Sequence, residues 1–368
     1  YIDAPLVFAG DSIAFAETSP GSFIQQLEEA GIAVYNLGGW FDGFTKGTTK
    51  LFANLTGKVP TYLLLAPRFH RPMRITGPYK ELLNYQGNFV DQLTWEQLKF
   101  FNKHLKQQDN KDFAEPVKIY TFHKGWEKFA SWPPASQPLK LFFNRDQTLT
   151  ANRTMPGAIE YGVNYNARAN YGTNNWNRWL LWDAPDEVME RSQNDSLALV
   201  FETPALEQDV QVTGHPVIDL YLSSSQPDAD VFVYLSDVDE EGKAWYVTEG
   251  QLRSDWHELK PPKGQVLNAE IIKPELPWHG YRGNEKDLHA LDSGRVIQMR
   301  FDLMPASWVF KKGHKIRLAI TGADSGNFIL HPQLSAHNNP NECPPTTWQV
   351  YATNAFPSKL VLPVVETP

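Results

Sequence analysis

Two residues in the first quarter of the chain carry the strongest chemical suggestion. Gly38-Gly39-Trp40-Phe41-Asp42 closes an apolar run, so two glycines permit a sharp turn and an aspartate follows it. In open α/β sheets, ligands and catalytic groups collect beyond the carboxyl ends of the strands. An aspartate there can orient a histidine and stabilise its charged form during acyl transfer. The same aspartate could instead cap the helix that follows. His70 stands 28 residues later, ending Ala66-Pro67-Arg68-Phe69-His70 just past the next apolar run. Aspartate after one parallel strand and histidine after the next is the chain order of one class of nucleophile–acid–histidine triads. As such a pair, Asp42 holds the Nδ1 proton of His70, while Nε2 takes the nucleophile's proton and returns it to the leaving group. The competing reading is a loop histidine with a structural hydrogen bond.

The nucleophile of such a triad should precede both residues on a Gly-x-Ser-x-Gly elbow. No such motif occurs in the sequence. Gly10-Asp11-Ser12-Ile13-Ala14 comes nearest, but it lacks the final glycine and follows no strand able to present an elbow, so Ser12 is not expected to be the nucleophile. Cys343 lies in a proline-rich loop and is a poorer candidate. Asp228, Asp230, Asp237 and Asp239 are an acidic cluster that could attract calcium, yet they lack the twelve-residue loop pattern and read as solvated hairpin ends. Trp126, Trp132, Trp176, Trp179 and Trp182 could form a sugar-binding platform but read as core or interface residues. His215 and His314 fall in strand-flanking turns and are expected to be structural, and His104 is expected at the surface.

The elements that must position these groups divide the chain. Residues 31–39 and the run TYLLLAP are short and continuously apolar, as buried parallel strands are. Residues 43–55 between them suit a helix, completing a βαβ unit with its right-handed crossover. Residues 93–105 place Leu98, Phe101 and Leu105 on one face and read as an amphipathic helix. Beyond about residue 113 the texture changes to short strand-like runs between Gly, Pro, Asn and Asp clusters, with DEEGK at 239–243 joining two of them as a hairpin. Many strands and little helix predict a β-sandwich or jelly roll.

Composition narrows the functional classes. The 368 residues are 42% hydrophobic with twelve tryptophans, enough for two or three well-filled domains at about 150 residues each. A net charge of −8 argues against nucleic-acid binding. No run approaches the roughly 20 apolar residues of a membrane span, so no membrane partner is expected. One cysteine excludes an intrachain disulfide and a cysteine-rich zinc site; it suits the cytoplasm without fixing localisation.

The stretch SPGSFIQQLEEAGIAVYNLGGWFDGFTKGTTKLFANL closely resembles the cocaine esterase and α-amino-acid ester hydrolase group of serine hydrolases. This is the CocE/NonD group, related to X-Pro dipeptidyl-peptidases. The group's Gly-Gly-Trp-(Tyr/Phe)-Asp motif is matched by Gly38 to Asp42, and its Gly-Pro-Trp-x-His motif by Ala66 to His70, with Ala66 for glycine and Arg68 for tryptophan. ETPALEQDVQVTGHPVIDLYLSSS, PWHGYR and LMPASWVFKKGHKIRLAITGADSGNF resemble its C-terminal domain. The resemblance implies that residues 1–112 are the C-terminal part of an α/β-hydrolase domain, of which residues 1 to about 30 are the tail of a helical cap. It implies a galactose-binding-like jelly-roll sandwich over residues 113–368. Asp42 and His70 become the acid and the general base of a Ser-Asp-His triad cleaving small-molecule esters or amides, with Trp40 and Phe41 near the acyl pocket. The serine and the oxyanion-hole tyrosine are expected upstream, so this chain alone should be inactive, completed by a missing N-terminal hydrolase part or a partner chain. No metal or organic cofactor is implied, and a homo-oligomer is left open. The competing function is a non-catalytic jelly-roll module binding carbohydrate or protein, with a vestigial hydrolase remnant.

Overall fold

Val34–Gly39 and Thr61–Ala66 form the parallel pair on which the candidate residues depend. The computed structural model describes residues 5–8, 11–14, 19–70, 89–168, 178–179, 190–260, 273–280, 291–331 and 334–366. Pro5–Phe8 (β1) and Asp11–Ala14 (β2) pair antiparallel, in register from Pro5↔Ala14 to Phe8↔Asp11. Helix α1 (Ile24–Ala30) stops at Gly31, whose φ of 62° suits glycine and lets its N–H donate to the Glu28 carbonyl at 3.1 Å. Then β3 (Val34–Gly39), α2 (Thr45–Leu55) and β4 (Thr61–Ala66) make the βαβ unit, paired from Val34↔Thr61 to Gly39↔Ala66.

Every residue of β4 is buried, which is why its sequence is continuously apolar instead of alternating. Leu64 and Ala66 face Leu93 and Trp126, whereas Leu63 and Leu65 join the main core. Helix α3 (Phe89–Lys106) follows, and its packing corrects the expected face. Leu98, Phe101 and Leu105 are exposed, and the helix docks through Glu96 and Phe100 instead. Glu96 is held by the Tyr35 hydroxyl at 3.1 Å and Lys118 Nζ at 2.9 Å. His104 is half-buried against Phe100 and Tyr62 at ring distances of 4.7 and 5.6 Å, not free at the surface.

β5 (Val117–Thr121) lies parallel to β4, and β6 (Gly125–Phe129) returns antiparallel. The four-stranded sheet β3-β4-β5-β6 therefore runs to Phe129, past the change of texture near residue 113. The remaining strands form two further sheets. One is β10 (Leu199–Glu202), β17 (Lys315–Thr321), β13 (Asp230–Val238) and β14 (Ala244–Arg253). The other runs β16 (Ala306–Phe310), β11 (Val210–Gly214), β19 (Lys359–Val364), β12 (Val217–Ser224), β18 (Thr347–Ala352) and β9 (Gly157–Gly162), with β15 (Ile297–Asp302), β7 (Gln137–Phe143) and β8 (Leu149–Thr150) branching from it. The predicted 239–243 hairpin joins β13 to β14, its Asp239 carboxylate accepting the Glu241 and Lys243 N–H groups at 2.9 Å.

The α/β sheet and the sandwich share one core. Trp40, Phe52, Leu63 and Leu65 belong to the same buried cluster as Trp308, Leu318 and Leu360. The seam is hydrogen-bonded as well: Phe122 N–H donates to the Ser307 carbonyl and Val309 N–H to the Phe122 carbonyl, both at 3.1 Å. Phe122 stacks on Trp308 with centroids 4.7 Å apart.

Candidate active site

The Asp42 turn begins where β3 can no longer continue. A Cβ on Gly39 would sit 2.4 Å from the Arg68 carbonyl oxygen, so only glycine lets the two strand-end loops cross. At that crossing Trp40 N–H donates to the Ala66 carbonyl at 2.9 Å and Phe41 N–H to the Arg68 carbonyl at 3.1 Å. Asp42 N–H closes the turn on the Gly39 carbonyl at 3.1 Å. The Thr45 hydroxyl at the start of α2 donates to the Asp42 carbonyl at 2.6 Å and also contacts the Gly39 carbonyl.

Asp42 does not cap α2, whose N-cap is Phe44 without a side-chain bond, and its two carboxylate oxygens have separate partners. Oδ1 accepts the Phe44 N–H at 2.9 Å just ahead of α2, while Oδ2 meets His70 Nδ1 at 3.1 Å. A carboxylate can only accept, so Nδ1 carries the proton and Nε2 of a neutral His70 is left as an acceptor. The Asp42 side chain is 8% exposed and that of His70 41%, an acid held inside and a base facing outward. Phe44 stands edge-on to the imidazole at 5.3 Å. Arg68 Nη1 donates to the His70 carbonyl at 3.2 Å, steadying the loop. Burial pulls the Arg68 guanidinium below its ordinary value, against the opposing charge of Asp42.

Trp40 and Phe41 are 2% and 3% exposed, so their rings lie in the interior beneath the turn. Trp40 Nε1 donates to the Tyr120 carbonyl at 2.6 Å. The Phe41 ring packs on Phe69, Phe122 and Tyr246 at 5.4, 5.6 and 6.2 Å. Ser12 lies in the strand β2, paired with Val7, and not at a strand-to-helix elbow.

The sandwich braces the Asp42 turn through residues that sequence reasoning did not find. Gly43 N–H donates to the Arg178 carbonyl at 3.0 Å. Arg178 Nε donates to the Tyr246 hydroxyl at 2.9 Å, which donates to Glu249 Oε2 at 3.0 Å. Trp179 Nε1 takes Glu249 Oε1 at 2.8 Å, and burial raises that carboxyl above its ordinary range. Lys46, on the first turn of α2, reaches Asp302 Oδ1 at 2.7 Å, and Asp302 Oδ2 meets His215 Nδ1 at 3.1 Å. Asp302 lies 256 residues from Lys46, and no local pattern announces such a pair. His215 is thus structural as expected, and His314 likewise meets Asp237 at 2.9 Å. Of the five tryptophans, Trp132 is buried, Trp126 covers the sheet half-buried and Trp179 serves Glu249. Trp176 and Trp182 lie outside the described residues.

These observations define a β-sandwich fused through one core to part of an α/β sheet, whose strand ends juxtapose an aspartate and a histidine. Residues 92–361 match the model of the X-Pro dipeptidyl-peptidase C-terminal non-catalytic domain, and the chain belongs to that family. Its relatives are hydrolases of the CocE/NonD kind, as the motifs suggested. It is 31% identical over 360 residues to a protein of Mycobacterium bovis named as a serine esterase, covering 95% of this chain and 52% of that protein. Cocaine esterase of a Rhodococcus species is 21% identical over 355 residues, covering 89% of this chain and 55% of the enzyme. The chain therefore spans about half the length of the curated relatives it matches. Among solved structures, an aminopeptidase from a Thaumarchaeota archaeon superposes with a TM-score of 0.70 at 20% identity over 93% of this chain and 57% of that one. An α-amino acid ester hydrolase gives 0.66 at 19% identity over 93% and 58%. The matched family segment starts within α3, so Asp42 and His70 lie ahead of it.

Proposed function

We propose that this chain supplies the acid and base limb of a Ser-Asp-His triad in a CocE/NonD-type hydrolase that cleaves ester or amide bonds. The observation that carries the reading is the 3.1 Å contact between Asp42 Oδ2 and His70 Nδ1 at adjacent parallel strand ends. His70 Nε2 removes the proton from a serine hydroxyl as it attacks the acyl carbonyl. It then gives that proton to the departing alcohol or amine, and a water repeats the cycle to release the acid. Asp42 keeps the imidazole in the reactive tautomer and offsets the charge it gains.

The serine and the oxyanion donors come from a hydrolase portion outside residues 1–368, joined upstream or carried by a partner chain. The edge of β3 supports this reading: among the described residues β3 pairs only with β4, leaving its other side as an unpaired strand edge that natural sheets normally cover. Trp40 and Phe41 act through the turn they underlie, and the acyl pocket is completed by the same outside portion. The sandwich is a galactose-binding-like jelly roll whose part is to brace the Asp42 turn. By itself the chain has no esterase activity.

A phosphonylating probe specific for activated serines tests the assignment. Applied to the intact hydrolase, it is expected to label a serine outside this chain and to leave the isolated chain unmodified. Labelling at Ser12, or at any serine of the isolated chain, overturns the proposal.

A further inference from the structure

The acidic run singled out in the sequence is divided by the fold between the two ends of β13. Asp237 is taken by Trp308 Nε1 and His314 Nδ1, both at 2.9 Å, and Asp239 by Trp245 Nε1 at 2.7 Å and the N–H groups of its own turn. The other end is different. Asp228 is 1% exposed, and its Oδ1 accepts from the Ser254 hydroxyl at 2.8 Å, but Oδ2 is buried without a hydrogen-bond donor. That oxygen points at His331 Nδ1 at 3.2 Å, and His331 Nε2 in turn lies 3.5 Å from Asp255 Oδ2. All three residues are buried, and one donor atom from each falls within 4.8 Å of the others.

We propose that Asp228, Asp255 and His331 form a binding site for a divalent transition-metal cation of the zinc type. His331 can offer one ring nitrogen to a cation: Nδ1 stands 3.2 Å from Asp228 Oδ2, close to the roughly 3.3 Å edge of a tetrahedral site with ligands about 2.0–2.2 Å from the metal, and Asp255 completes a trio whose donor atoms lie within 4.8 Å of one another. One imidazole with two carboxylates suits zinc, whereas calcium prefers six to eight oxygens. The charge balance asks for such an ion. Arg253 is committed to Asp230 through two hydrogen bonds of 2.7 and 3.0 Å, so Asp228 and Asp255 remain as a buried pair of carboxylates facing one imidazole. The ion would tie together the turn after β12, the turn after β14 and the segment after β17, leaving its fourth position to water. The site is independent of the triad reading.

The test uses the purified chain, stripped with EDTA and desalted, then titrated with zinc and separately with cobalt(II). One equivalent of zinc is expected to bind, with cobalt giving the d–d absorption of a low-symmetry tetrahedral site. Asp228→Asn and His331→Gln each weaken zinc binding by more than about 100-fold, since even outer partners of ligands are worth 10- to 100-fold. His337→Gln, at an exposed histidine beside Glu342, leaves it unchanged. Should either ligand variant fail to fold, the wild-type cobalt spectrum decides alone. Absence of d–d bands from the wild-type chain means that His331 is merely an imidazolium bridging two carboxylates, and overturns the proposal. Zinc stoichiometry and affinity unchanged in a folded Asp228→Asn chain overturn it too.

Discussion

Gly39→Ala is expected to destabilise the chain, and the same substitution at Gly47 to stabilise it. At Gly39 the new Cβ meets the Arg68 carbonyl oxygen at 2.4 Å and Arg68 Cγ at 2.6 Å, where ordinary contact begins near 3.4 Å. The strand-end loops must then separate by about 1 Å, because the obstacle is backbone and not the tip of a flexible side chain. Overpacking of this kind costs about 1–3 kcal/mol. The movement also stretches the Asp42–His70 contact, now 3.1 Å, beyond hydrogen-bond range. Gly47 lies exposed within α2 and a Cβ there meets nothing within 4 Å, so alanine gains about 0.5–1 kcal/mol of helix stability. Urea denaturation of the wild type and both variants, followed by tryptophan fluorescence, measures the two effects. A Gly39→Ala chain as stable as the wild type refutes the argument that glycine is required at the crossing of the two loops.

Further expectations concern the seam and α3. Burial raises the Asp302 carboxyl, but Lys46 above all, then His215, outweigh it and hold the group well below the usual carboxylate range. A depressed folded value gives stabilisation that is present above the unfolded value of about 3.9 and lost as pH falls through the folded one. Asp302→Asn should therefore be less stable by roughly 3 kcal/mol at pH 7 and show a shallower loss of stability on acidification; parallel curves for wild type and variant contradict the pairing. Phe100→Ala should lose about 3–5 kcal/mol, as deletion of a buried phenyl ring does, whereas Leu105→Glu should change stability by less than about 0.5 kcal/mol. Thermal melts of these two chains check which face of α3 is docked, and the opposite ranking would reverse the assignment.

The sequence made the strand ends legible because their signals are local. Continuous apolar runs closed by glycine or proline marked β3 and β4, and their succession placed Asp42 and His70 at one sheet edge. The hairpin at 239–243 was equally plain. What escaped was set by distance or by competition between patterns. Leu98, Phe101 and Leu105 are spaced as a buried stripe, yet Glu96 wins the interior because Tyr35 and Lys118 satisfy its carboxylate. Residues 117–129 look like the sandwich strands after them, since an antiparallel hairpin reads alike in either sheet; pairing with Leu63, Leu64 and Leu65 assigns them to the α/β layer. The Lys46–Asp302–His215 and Arg178–Tyr246–Glu249 braces join residues remote in sequence and leave no periodic trace.

The central claim is that Asp42 and His70 work as one acid–base unit. The most direct measurement is the rate of chromogenic acyl-ester hydrolysis by this chain joined to the proposed serine-bearing portion, and by the Asp42→Asn and His70→Ala variants of that assembly. Each variant is predicted to keep its fold and its KM within a few-fold while kcat falls by about 10³–10⁴-fold, because members of a triad act together. A folded variant of either residue that turns over at the wild-type rate contradicts the account.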